Sequence, residues 1–407
     1  MMTAKVIVLG AGYGGLLAAL RLARLTRHLG ASVTLVEQAA VAPDRVRLHE
    51  TLVRDVPSRR LVDVVRGSGV TFWQGRVDAL DPDQRTVSIA TAEGPRQFRY
   101  DRLVYALGSF TDRDVIPGIR EHAHTLAPAT STQVRARIRE LAATRGRVLV
   151  CGGGLSGIEV ASEIAEAYPE LQVTLATASQ IGSGLSQRAR AHIAAVLSRL
   201  HVSVREQTRI RALEVGTAQT ATERLLFDLC LWTGPFAVPH IARQAGLAVD
   251  PGGRILVDDR LLSLSHPEVS VVGDAAALGG AVHRHVRPAC ASATAMGAYA
   301  ANALAADLSG RGSPPFRLGY LSKNVSLGRR EAVTDWVRPD DQPRERIWTG
   351  WPAVWWKNLV ITAVGVWGQI QAERWWSGNY QLARWIETPD LGHNSGGHES
   401  LTGPDRV

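Results

Sequence analysis

Glycines carry the densest chemical signal in this chain. Gly10-Ala-Gly12-Tyr13-Gly14-Gly15 follows the apolar segment Lys5–Leu9 and precedes Leu16, Leu17, Leu20 and Ala23 at helical spacing. In a strand–turn–helix, the first glycine permits the tight bend. The second lets backbone approach a pyrophosphate, and the third lets helix and strand pack closely. The helix start then offers unpaired N–H groups and a positive dipole end to phosphate. Glu37 closes the next strand, Ser32–Glu37, 22 residues after Gly15, where a carboxylate accepts hydrogen bonds from an adenosine ribose.

The pattern recurs. Strand Arg147–Cys151 leads into Gly152-Gly-Gly154-Leu155-Ser156-Gly157, then into a helix expected over Ile158–Ala167 and a strand over Gln172–Thr177. At the place of Glu37 stands Thr177, so no carboxylate is there to bond the 2′-hydroxyl of NADH or repel the 2′-phosphate of NADPH. Thr177, Ser179, Arg188 and Arg190 could all serve a phosphate. The missing acid permits NADPH without selecting it. That this second turn only supports packing stays open.

Other reactive residues are sparse. Cys151, Cys230 and Cys290 share no CxxC spacing, so a reducing, cytoplasmic setting is expected. Residues 38–60 hold no cysteine. In His283-Arg-His285-Val-Arg287 no carboxylate or cysteine completes a ligand set, and no metal site is expected. His283 or His285 could move a proton near neutral pH; a surface loop is the plainer alternative.

These turns need a large scaffold, and 407 residues supply one. Apolar residues at 45% and charged residues at 21% place the chain among globular proteins. The net charge of +8 comes almost wholly from arginine, since the only lysines are Lys5, Lys323 and Lys357. No basic block with interleaved aromatics exists, so nucleic-acid binding is not expected. The N-terminal apolar segment is too short for a signal peptide, and no uninterrupted run is long enough to span a bilayer. Further strands are expected at Thr71–Trp73, Arg85–Ala90, Leu103–Ala106 and Glu268–Val272, with helices over 131–144 and Ala289–Leu308 and a linker over 309–316. Nine of eleven tryptophans fall at or after Trp336. That concentration reads as an interfacial membrane anchor, an aromatic wall over the substrate, a dimer interface or a subdomain core.

Two such turns in one chain imply one nucleotide site per half. The chain resembles the two-dinucleotide-binding-domain flavoproteins of the pyridine nucleotide-disulfide oxidoreductase superfamily, and within them the type II NADH dehydrogenase-like group, over roughly residues 5–335. Further matches carry the resemblance: Tyr105-Ala106-Leu-Gly108-Ser, Leu231-Trp232-Thr-Gly234, Val272-Gly273-Asp274 and Ser326-Leu-Gly-Arg-Arg330. It implies an α/β fold with two Rossmann-like three-layer domains plus a C-terminal α+β or helical segment. The FAD-binding domain would take 1–110 and 250–318, and the NAD(P)H-binding domain 111–249. A Trp-rich C-terminal domain would take 319–388, and 389–407 would form a flexible tail.

The resemblance also nominates site residues. FAD would lie on Gly10, Gly12, Tyr13, Gly14, Gly15 and Glu37, with Asp274 and Gly273 at the ribityl chain. Arg47, His49, Ala106 and Gly108 would stand nearby. Backbone N–H groups of Ala289, Cys290 and Ala291 would face the ring, where a helix start after Pro288 favours the anionic reduced form. NAD(P)H would lie on Gly152, Gly154, Leu155, Ser156, Gly157, Thr177 and Gly234. Glu159 would position the nicotinamide and Lys357 would reach the active-site cavity; a surface glutamate and a snorkelling lysine are the alternatives.

The implied activity is hydride transfer from NAD(P)H to FAD and on to a quinone or quinone-like acceptor. The C-terminus would touch the inner face of a membrane or a second copy of the chain. One departure bears on the acceptor. Where the group carries Ala-Gln-x-Ala-x-Gln, this chain has Cys290-Ala291-Ser-Ala293-Thr-Ala295. The alternatives are therefore a soluble FAD-dependent oxidoreductase acting on an aromatic metabolite, or a non-catalytic FAD-binding interaction protein.

Overall fold

Each glycine-rich turn sits at the end of a strand whose residues are all but wholly apolar. In the computed structural model, which describes residues 4–42, 44–280 and 283–364, those strands lie inside two separate parallel sheets. The first unit runs β1 (Lys5–Leu9), α1 (Tyr13–Leu25), β2 (Ser32–Glu37), α2 (Leu61–Val65) and β3 (Val70–Gln74). An antiparallel insertion follows, β4 (Arg76–Asp81), β5 (Thr86–Thr91) and β6 (Gly94–Arg99), before β7 (Arg102–Tyr105) re-enters the sheet. A crossing made of β8 (Phe110–Thr111) and α3 (Ile119–His122) leads to the second unit.

That unit holds β9 (His124–Thr125), α4 (Pro128–Ala143), β10 (Arg147–Cys151), α5 (Leu155–Ala167), β11 (Gln172–Ala176), α6 (Gln187–Arg199) and β12 (Ser203–Arg205). A meander, β13 (Ala212–Glu214), β14 (Thr217–Gln219) and β15 (Arg224–Leu226), precedes β16 (Leu229–Trp232). The chain returns through β17 (Phe236–Ala237), α7 (Ile241–Gln244), β18 (Ile255–Val257), β19 (Val269–Val271) and β20 (Ala276–Leu278) to the long α8 (Cys290–Leu308). Three antiparallel strands, β21 (Ser322–Ser326), β22 (Ala332–Val337) and β23 (Pro343–Thr349), and α9 (Gly350–Val364) follow.

The first sheet has the order β19-β7-β1-β2-β3 and the second β12-β11-β10-β16-β9, parallel throughout. Strands covered on both faces must be apolar on both, and Val6, Ile7, Val8 and Leu9 are all buried. The α/β class expected from the sequence holds. Expected boundaries moved by a few residues. Helix α5 starts at Leu155 because Gly154 is its N-cap, and α4 starts at Pro128, whose fixed φ suits a first turn. The strand expected from Arg85 starts at Thr86, since Arg85 has a φ of 51°.

Helices α1 and α8 cross at two glycines. A Cβ on Gly297 would fall on the carbonyl oxygen of Gly14, and one on Gly14 would come within 2.8 Å of the carbonyl oxygen of Ala293. This close approach holds the start of α8 beside the first glycine-rich turn. The C-terminal sheet packs its Val325, Leu327 and Val333 into the same core as Ile158, Val160 and Ile164 of α5. Trp336, Trp348 and Trp356 form a ring cluster with centroids 4.9–6.1 Å apart, so these three serve as a subdomain core. Trp351 and Trp355 face outward. Trp367, Trp375, Trp376, Trp385 and the remainder of the expected C-terminal segment and tail lie outside the described residues.

Candidate active site at the junction of the two sheets

The two glycine-rich turns are built alike, bond for bond. Gly10 N donates to Val36 O at 2.7 Å, and Gly152 N donates to Ala176 O at 2.9 Å. Leu16 N donates to Gly12 O at 3.0 Å, and Ile158 N to Gly154 O at 3.1 Å. Gly10 and Gly152 take positive φ, 96° and 126°, which suits glycine alone. A Cβ on Gly15 or Gly157 would strike the carbonyl of Gly10 or Gly152 respectively, whereas Gly12 and Gly154 face open space. Both helices start without a side-chain cap and without an acidic residue in the first turn. Their N–H groups and dipole ends are therefore available to an anion, and the residues present fit two dinucleotide pyrophosphates.

The correspondence fixes what replaces Glu37. Glu37 Oε2 accepts from Ala11 N at 2.8 Å and Oε1 from Ala39 N at 2.9 Å, which holds the carboxylate across the first turn. In the second unit Thr177 follows Ala176 as Glu37 follows Val36. Its hydroxyl accepts from Ser179 N and lies against Gly153. Arg190 bonds Gln180, and Arg188 turns toward Glu345 of β23.

Around the first turn, Tyr13 donates its hydroxyl proton to Asp44, and burial raises its pKa. Ala106 touches Gly10 and Gly15, so its small side chain is a packing requirement of that turn. Gly108 and Gly273 have φ of 64° and 74°. They bring Ser109 Oγ to Asp274 Oδ2 at 2.6 Å, while Arg45 donates to Ser109 O. Ala289 caps α8, with Cys290 and Ala291 in its first turn. Burial, then the Asp274 charge, pushes the Cys290 thiol up to about 12, which removes it as a thiolate nucleophile.

Three residues far apart in sequence meet at the start of α5. Glu159 Oε1 accepts from Ser326 N at 3.1 Å and pairs with Lys357 of α9; Glu159 Oε2 lies 3.7 Å from His49 Nδ1. Lys357 and His49 are 6% and 3% exposed. Burial opposes ionisation of Glu159, but the charge and hydrogen bond of Lys357 and the Ser326 N–H hold its pKa below the ordinary carboxylate range. Burial drives His49 down to about 4, so it is a neutral imidazole at pH 7, and among the described residues its Nε2 has no hydrogen-bond partner. A buried lysine, an ionised carboxylate and a neutral imidazole with one free nitrogen can orient and exchange a proton with a bound ring.

Beside this centre lies a charge cluster that sequence reasoning missed. Glu50 accepts from Arg47 at 2.9 Å, pairs with Arg54, and lies 3.2 Å from Arg329 Nη1. Burial opposes its ionisation, yet the Arg47 and Arg329 guanidinium groups hold it down to about 2. Arg47, expected beside the ring, is thus spent on Glu50. Arg329 also lies 3.6 Å from Glu163 of α5. The visible signals were the one-turn spacing of Glu159 and Glu163 and the quoted Ser326–Arg330 segment.

The histidine pair goes elsewhere. His283 is buried and stacks on Phe316 with centroids 6.1 Å apart. His285 Nε2 bonds Leu318 O at 2.7 Å and meets the Tyr320 ring edge. Both hold the strap after α8 and neither joins Glu159. Cys151 and Cys230, distant in sequence, lie side by side on β10 and β16 with sulfurs 3.8 Å apart. Among the described residues no cluster suits a metal ion.

The family model described as Pyridine nucleotide-disulphide oxidoreductase matches residues 4–298. Demethylphylloquinone reductase NdbB of Synechocystis is 27% identical over 358 residues, covering 81% of this chain and 86% of that protein. A NADH dehydrogenase-like protein of Mycobacterium tuberculosis is 28% identical over 353 residues, covering 81% and 87%. NDH2 from Plasmodium falciparum, solved in complex with NADH, superposes with a TM-score of 0.78 over 92% of this chain and 99% of that one. At 13% identity that likeness speaks to the fold alone.

Proposed function

This chain belongs to the pyridine nucleotide-disulphide oxidoreductase family, and on that premise we propose that it takes hydride from NAD(P)H onto FAD and passes the electrons to a quinone or quinone-like acceptor. The observation that carries the reading is the meeting of Glu159, Lys357 and His49 on the helix that follows the second of two matched glycine-rich turns. The relatives named as quinone reductases favour the same acceptor class.

The two parallel sheets support an FAD-binding unit of 1–110 with 250–318 and an NAD(P)H-binding unit of 111–249. Gly10–Gly15 and Glu37 would hold the adenosine and pyrophosphate of FAD, and Asp274 its ribityl hydroxyls. Gly152–Gly157 and Thr177 would hold NAD(P)H. FAD, when bound, accepts a hydride and releases electrons. Glu159 fixes Lys357 at the cavity wall, and Lys357 Nζ presents protons to an acceptor oxygen. His49 offers its free Nε2 to a ring edge.

The face of α9 opposite Lys357 supports peripheral contact with a membrane. Trp351, Trp355 and Leu359 recur at four-residue spacing and are 75%, 52% and 48% exposed. Among the described residues no helix is long and apolar enough to cross a membrane. A second acceptor class, an aromatic metabolite, draws support from α8, where Ala291 is exposed at a position the resembling group fills with glutamine.

Anaerobic mixing of the purified yellow protein with NADH or NADPH tests the reading. The flavin band bleaches, and a short-chain quinone restores it. Lys357→Met slows the restoring step by about a hundredfold, the scale of a lost acid–base group. A flavin that neither nicotinamide bleaches ends this reading.

A further inference from the structure

A carboxylate buried without a hydrogen bond is costly and therefore uncommon. Glu163 is such a residue: it is 1% exposed, and among the described residues neither Oε1 nor Oε2 has a hydrogen-bond partner. Its ion pair with Arg329 is long, 3.6 Å, and the same guanidinium nitrogen lies closer to Glu50. That one long ion pair is a weak reason for a buried carboxylate. An apolar residue would suit the site better, since Ile158, Val160 and Ile164 of the same helix are buried in the core.

Position suggests a use. Glu159, Glu163 and Glu166 stand at i, i+4 and i+7 on α5 and share one face. Glu159 belongs to the candidate active site. Glu166 is half-buried and accepts from Arg329 N at 2.5 Å toward the far end of the helix. Glu163 lies between them, roughly 6 Å of helix rise from Glu159 and 4.5 Å from Glu166 at 1.5 Å per residue, so the three side chains are successive neighbours on that face.

We propose that Glu163 is a relay residue that carries the solvent proton of the reaction from Glu166 to the Glu159–Lys357 pair. This rests on the reaction proposed above. Reduction of a quinone by NAD(P)H consumes one hydride and one proton, and only the hydride comes from the nicotinamide. Lys357 loses an N–H proton to the reduced acceptor oxygen, which gains an O–H bond. The Glu163 O–H bond breaks, its proton passes through the Glu159 carboxylate, and the Lys357 N–H bond is restored. Water at Glu166 then reprotonates Glu163. No electrons move in the relay.

The surroundings suit a carboxyl that keeps its proton at neutral pH yet can release it. From α5, Glu159 and Glu166 face it; from the 45–54 segment, His49, Glu50 and Arg54; from the turn after β21, Arg329. Burial, with Glu50 and Glu166, outweighs Arg329 and Arg54 and brings its pKa up to about 7.

The test uses the full-length flavin-loaded enzyme and Glu163→Gln, which keeps the shape and cannot release a proton. Stopped-flow mixing with NAD(P)H, then with a soluble short-chain quinone, is followed by flavin absorbance and a pH indicator. The relay requires that E163Q slow quinone-driven reoxidation and its proton uptake by at least about tenfold more than it slows flavin bleaching. The ionisation near pH 7 disappears from the reoxidation profile. Glu163→Asp restores part of both.

A second readout needs no turnover. The folded pKa of Glu163 lies above its unfolded value, so its stabilising protonated form is lost as pH rises from 4.5 through about 7. The melting temperature of E163Q therefore gains on wild type between pH 5 and pH 8. Reoxidation of E163Q at the wild-type rate with an unchanged pH profile overturns the relay, as does a melting difference that is flat with pH. A wild-type flavin that bleaches but that no quinone reoxidises sinks the parent reading, and the relay with it.

Discussion

At the scale of single residues, the matched hydrogen bonds of the two turns make Thr177 a controlled experiment. Glu37 and Thr177 occupy equivalent places, one acid and one neutral. A carboxylate there repels the 2′-phosphate of NADPH and bonds the 2′-hydroxyl of NADH. Thr177→Glu is thus expected to shift the kcat/KM ratio toward NADH by about tenfold, which is about 1.4 kcal/mol, or more. Steady-state kinetics with both nicotinamides measures it; an unchanged ratio would show that the second turn does not set the choice. The glycines, Glu37 and Thr177 were legible in the sequence because their chemistry is local. The partners of Glu159 were not. Lys357 lies 198 residues away and His49 lies 110 residues away, and no local spacing encodes such a meeting. The His283–His285 alternation shows the mirror case. Its regular spacing resembled a reactive pattern, while the fold stacks His283 on Phe316 and ties His285 to Leu318 and Tyr320, away from Glu159.

Among the elements, α1 and α8 decide whether the site exists. Their contact brings backbone to backbone at Gly14 and Gly297, and it sets the start of α8 beside the first turn. Alanine at an interior helix position normally gains about 1 kcal/mol over glycine from propensity. At Gly297 the added methyl meets the Gly14 carbonyl, and overpacking of this kind costs about 1–3 kcal/mol. Gly297→Ala should therefore lower the melting temperature and loosen the flavin. Gly12→Ala makes the opposite case: Gly12 has an ordinary φ of −65° and open space where its Cβ would stand. It should cost the fold less than about 1 kcal/mol while weakening flavin retention, because the methyl stands where the pyrophosphate would approach. Thermal melts with and without added FAD separate the two. Equal losses in both would mean that neither glycine acts as argued. Strand and helix identities were largely readable from apolar periodicity. Their ends were not, because caps such as Gly154 and the positive φ of Arg85 belong to backbone geometry rather than to hydrophobic pattern.

Across the whole molecule, one helix carries two unlike faces. Lys357 and Ala353 of α9 point inward, toward Glu159 and the C-terminal sheet, while Trp351, Trp355 and Leu359 point out. A helix turned this way on a bilayer puts its lysine on the protein side of the interface, one helix diameter from the lipid, which suits an acceptor that partitions into membrane. Trp351→Ala with Trp355→Ala removes two indoles that no described partner covers. Each is expected to contribute about tenfold to partitioning onto vesicles. The double variant should then fail to sediment with liposomes and lose turnover of a long-chain quinone held in them. A water-soluble short-chain quinone should be reduced at the wild-type rate, because Lys357, Glu159 and His49 sit on the opposite side of the helix. Loss of both activities together would place the two tryptophans in the catalytic cavity. Undiminished sedimentation would instead assign the outward face to a second copy of the chain, which a concentration-dependent molar mass would report.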